Sequence, residues 1–253
     1  MSAGEKPTTE GRALCKPRGK GRRRLVCHHE AGHALARWYF GHLTDRVTVL
    51  TAEQVRAGET IEDERGRRVP CEGLCEGYDI IGYPFGPTRI EGGPEKQARI
   101  NHALAVSRDV ELIHCVAGFY AEADYGRLSP SACMFSGGLK DMARLKIVLD
   151  AWDLHDDEGH ASAALAGKRA TALVRSPKGA AAIGALADAL MERGEVECEE
   201  IGTIFRGAYD GRECRFGAWN AHWPPTLDQL RAGFIPERAE VSSPIGVRWA
   251  SVP

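Results

Sequence analysis

The segment His29-Glu30-Ala31-Gly32-His33 constrains this chain more than any other. In a helix, histidines at i and i+4 project from the same face. Two neutral imidazole nitrogens one turn apart suit two corners of a tetrahedral zinc site. Glu30 sits beside the first histidine and reaches a zinc-bound water at an open corner, where it serves as general base. Leu25, Val26, Leu35, Trp38 and Tyr39 supply apolar surface for a helix expected from Arg23 to Phe40, which Gly41 ends. Gly32 costs about 1 kcal/mol against alanine inside a helix, so its presence implies that something packs closely there. The plainer alternative makes His29 and His33 ordinary histidines of a solvated helix.

A catalytic zinc site needs a third protein ligand. The metzincin extension is excluded, because it requires Gly and His where this chain has Ala36 and Tyr39. The remaining candidates are carboxylates further along, chiefly Glu111, Glu122 and Asp141, and spacing does not choose among them. His28 projects about 100° away from His29 on the helix and is not expected to share its metal. His102 and His114 read as ordinary residues of a later helix. Cys71 and Cys75, spaced C-x3-C, have no partner pair downstream and read as free thiols rather than a second metal site.

The 253 residues suffice for one substantial domain or two small ones. A hydrophobic share of 43% and a charged share of 27% exclude general disorder. The net charge of −2 points to no polyanionic partner. The basic run from Lys16 to Arg24 reads as part of a solvated, flexible arm over residues 1–21, and nucleic acid is not an expected partner. No apolar stretch is long enough for a membrane span, and the N-terminus lacks the apolar core of a secretory signal. A cytoplasmic location, with the eight cysteines mostly reduced, is the expectation.

Periodicity organises the rest. Residues 45–50 are β-branched and predict a strand, whose edge at Val47–Leu50 is expected to pair with an extended substrate. Residues 51–76 are charged and glycine-rich without a clear period, within a long insertion over 51–93. Residues 78–83 predict a second strand. Helical spacing predicts helices over 95–122 and 141–152. Alanine-rich segments follow at 160–175 and 179–193, separated by Ser176-Pro177, and a short helix is expected over 197–208. His155 to His160 reads as a polar turn and helix start. An irregular tail follows from 211 to 253. The fold class expected is α+β and mainly helical, with the HExxH helix beside a small sheet and a helical bundle completing the core.

Four separated segments resemble the FtsH-type peptidase domain. His29-Glu30-Ala31-Gly32-His33-Ala34, followed by Arg46-Val47-Thr48-Val49, is similar to that family's HEAGHA helix and succeeding strand. Ala117-Gly118-Phe119-Tyr120-Ala121-Glu122 resembles its "GGRxAE" helix. Gly137-Gly138-Leu139-Lys140-Asp141-Met142-Ala143-Arg144 resembles its "GAxNDLxRA" segment, and residues 187–201 resemble its closing helices. The resemblance implies zinc held by His29, His33 and Asp141, with Glu30 catalytic, in a domain over residues 22–210. FtsH proteases also carry membrane segments and an AAA+ ATPase. No G-x4-G-K-[ST] loop occurs here, so ATP-driven unfolding is not expected from this polypeptide.

The expected activity is zinc-dependent hydrolysis of peptide bonds in unfolded segments or exposed loops, with a separate ATPase or adaptor as a partner. The alternative is a zinc-stabilised binding or adaptor module without turnover. Lys140, where the family has asparagine, and the long insertion favour that second reading.

Overall fold

The computed structural model describes residues 20–77, 93–213 and 225–235. The HExxH segment lies in the middle of α1 (Lys20–Tyr39), which starts earlier than the periodicity predicts, inside the stretch expected as an arm. Two arginines of its first turns bond elsewhere in the fold, and residues 1–19 of the expected arm lie outside the described residues. Arg23 donates to the carbonyls of Leu190 (2.9 Å) and Met191 (2.8 Å), and Arg24 pairs with Asp188. Gly41 takes φ 77°, a left-handed conformation that ends the helix as expected.

The chain then forms β1 (Arg46–Val49), α2 (Ala52–Ala57), a hairpin of β2 (Ile61–Glu62) and β3 (Arg68–Val69), and β4 (Gly73–Glu76). After residue 92 come α3 (Pro94–Gly126), α4 (Pro130–Met134), α5 (Leu139–Ala151), α6 (Asp156–Val174), α7 (Pro177–Arg193), β5 (Glu195–Glu197), α8 (Cys198–Ala208) and α9 (Leu227–Arg231). The protein is a mainly helical α+β fold, with the sheet and the HExxH helix side by side. Among the described residues no helix is long and apolar enough to cross a membrane.

The sheet corrects two expectations. Its order is β4-β1-β5, antiparallel throughout, so β1 is interior and both of its edges are occupied. The edge beside α1 belongs instead to β4, in a segment that shows no strand period because Gly73 and Cys75 give no apolar alternation. The strand expected over 78–83 lies outside the described residues. Small residues let β4 run close along α1: a Cβ on Gly73 would meet Val26 and Glu30, and one on Gly77 would meet Arg37. Arg46 and the backbone N–H of Glu64 both bond Glu76, tying the β2–β3 hairpin to the sheet.

The helices bury one continuous core. α3 packs along α1 and α6, α7 covers another face of α1, and α8 closes over α7. Leu35, Tyr39, Ile113, Phe119, Leu186 and Phe205 are at most 1% exposed within it. Gly32 faces α3 so closely that a Cβ would lie 2.7 Å from both the Ala117 carbonyl oxygen and the Ala121 methyl. That contact is the close packing implied by a glycine inside the motif. Ser176 caps α7 by accepting from the N–H of Gly179 at 2.9 Å, with Pro177 at the first helical position. Within the stretch expected as an irregular tail, Leu230 of α9 is fully buried against the core.

Candidate metal centre

Helix geometry puts His29 and His33 on the face of α1 that meets α3 and α5. Their Nε2 atoms lie 3.1 Å apart. Asp141, in the first turn of α5, places Oδ2 3.0 Å from His29 Nε2 and Oδ1 3.5 Å from His33 Nε2. Among the described residues, these three form the one group of three or more His, Cys, Asp or Glu side chains able to hold a metal ion, with ligand atoms within 4.8 Å of one another. Cys71 and Cys75 are free thiols outside that group.

The donor set fits a cation. His33 Nδ1 lies 2.8 Å from the carbonyl oxygen of His114, which only accepts, so Nδ1 carries the proton and Nε2 keeps a lone pair. His29 Nδ1 lies 3.0 Å from Glu122 Oε2, and donation to that carboxylate leaves its Nε2 in the same state. Two lone pairs and a carboxylate thus converge on one point. Burial alone opposes charge on His29, yet its bonds to Asp141 and Glu122 override that and push the imidazole up to about 10. Burial would raise the Asp141 carboxyl, but His33 and His29 hold it well below the usual range. The group therefore calls for positive charge. Ligands about 2.0–2.1 Å from a tetrahedral metal stand about 3.3 Å apart, close to the separations here.

The three carboxylates left open by spacing take three different roles. Asp141 joins the histidines. Glu122 orients His29 from behind, and Glu111 faces away to pair with Arg144. Burial would raise Glu111, but the Arg144 guanidinium against it holds its carboxyl low. Glu30 is only 8% exposed, and burial is the foremost cause raising its pKa. His28 turns away as expected, its ring stacked on Tyr125 at 3.8 Å.

Two contributors were not legible as functional. His114, expected to be ordinary, supplies the carbonyl for His33 and packs its ring 5.0 Å from the His33 ring. Among the described residues its own ring nitrogens have no hydrogen-bond partner, since Glu111 Oε1 stands too far away at 3.6 Å. Gly118 is the second, because a Cβ there would lie 2.2 Å from His33 Nε2. A glycine inside a long helix was the available signal. Gly118→Ala is expected to reverse the usual gain of about 1 kcal/mol for such a change. It should displace the His33 ring and weaken metal binding by roughly tenfold or more, measured by competition with a chromogenic chelator.

A scan against models of known protein families finds no match, and a search of the curated proteins also finds none.

Proposed function

We propose that this chain is a zinc metalloendopeptidase of the FtsH type, acting on unfolded segments or exposed loops. The observation that carries the reading is the convergence of His29, His33 and Asp141, with Glu30 on the turn between the histidines. Bound zinc would supply a Lewis acid that polarises a peptide carbonyl and acidifies water. Each imidazole is oriented through its far nitrogen, His29 by Glu122 and His33 by the His114 carbonyl. Glu30 accepts a proton from the attacking water and passes it to the departing amine. Its burial favours holding that proton between the two steps.

Among the described residues β4 pairs only with β1, which leaves its other edge for an extended chain. At Gly73 the face of β4 packs against Glu30, so that edge lies next to the site. A segment added there would run beside the general base.

Elemental analysis and casein cleavage test the proposal together. About one zinc per chain is expected, with cleavage abolished by a chelator and restored by zinc. Stoichiometric zinc with no cleavage of any unfolded protein would favour the adaptor reading. A protein that neither contains nor takes up zinc would return His29 and His33 to ordinary histidines.

A further inference from the structure

Among the described residues no hydrogen bond holds the Glu30 side chain. Among the described residues, packing is what orients it. A Cβ on Gly73 would lie 2.7 Å from both Glu30 Cγ and Oε1, so the backbone of β4 forms the surface on which this side chain rests. A flexible carboxylate held in this way is only as well placed as the strand beside it.

The segment 70–73 is tied down from both sides. Arg22, about 10 Å before His29 along α1 and on nearly the same face, donates through Nε (2.7 Å) and Nη2 to the two carboxylate oxygens of Glu72. Such a two-bond fork fixes direction as well as distance. Lys140, next to Asp141 on α5, donates from Nζ to the Pro70 carbonyl at 3.3 Å. The Leu50 N–H bonds the Glu72 carbonyl at 2.9 Å on the sheet side. The Arg22–Glu72 fork therefore joins α1, which carries Glu30, to the residue adjoining Gly73.

We infer that Arg22 and Glu72 are positioning residues for Glu30, acting through Gly73. The fork sets how far β4 stands from α1, and so where the Glu30 carboxylate points. This rests on the reading of Glu30 as general base.

The test compares wild type, Arg22→Ala, Glu72→Ala and the exchanged pair Arg22→Glu/Glu72→Arg. Each single variant is expected to lose about fivefold in kcat for casein, with KM and zinc content unchanged, and the exchange is expected to recover most of the loss. In the metal-free protein, amide exchange over Gly73–Glu76 should quicken by a similar factor in Glu72→Ala. Unchanged kcat in both single variants would overturn the inference. So would a rise in kcat with a fall in KM, which would make the fork a latch obstructing entry. A loss that the exchange fails to recover would overturn it as well. Zinc-loaded wild type that cleaves nothing would instead overturn the peptidase reading, and this inference with it.

Discussion

Glu30→Gln is expected to abolish casein cleavage while leaving zinc in place. The substitution conserves size and removes only the capacity to take a proton. Loss of general-base action amounts to about 10²–10⁴ in kcat. Glu30 makes no bond to His29 or His33, whose partners are Glu122, Asp141 and the His114 carbonyl, so the metal-holding set is untouched. Neutral glutamine in a site where Glu30 is 8% exposed also removes a buried carboxylate, so the melting temperature should hold or rise. Cleavage retained at the wild-type rate would remove Glu30 from the mechanism. Zinc lost along with activity would mean that the residue holds the metal rather than serving as the base.

The second large effect falls on Asp141→Ala. A structural zinc site contributes about 10–16 kcal/mol over four ligands, or roughly 3 kcal/mol for each. Removing one should weaken zinc binding by about 10²-fold or more. Asp141 also faces both imidazoles at 3.0 and 3.5 Å, so its loss leaves two histidine lone pairs pointing at each other with no anion to balance a cation. Zinc content after dialysis against a weak chelator is the measurement. Glu111→Ala is the control for the choice of carboxylate and should keep its zinc, because Glu111 pairs with Arg144. Zinc retained by Asp141→Ala and lost by Glu111→Ala would reassign the third ligand.

The residues proposed for the site within one turn of helix could be singled out from the sequence alone. His29, Glu30 and His33 depend only on the 3.6-residue period, which is a local property. Gly32 announced a close neighbour for the same reason, because glycine is costly in a helix whatever surrounds it. Periodicity also placed the helices that became α3 and α5, while the segments that became α6 and α7 showed only as alanine-rich stretches.

What packing decides was not legible. Glu111 and Glu122 sit on one helix about 16 Å apart, so no more than one of them can stand beside His29, and only the docking of α3 on α1 makes it Glu122. Asp141 was singled out by resemblance. Its approach to both imidazoles depends on α5 lying against α3, a contact between residues far apart in the chain. The edge strand was misplaced for a similar reason. Strand pairing joins distant segments and leaves a faint local trace, fainter still where glycine and cysteine replace the usual alternation. Periodicity is written into each turn of the chain, whereas the identity of a neighbour exists only once the chain has packed.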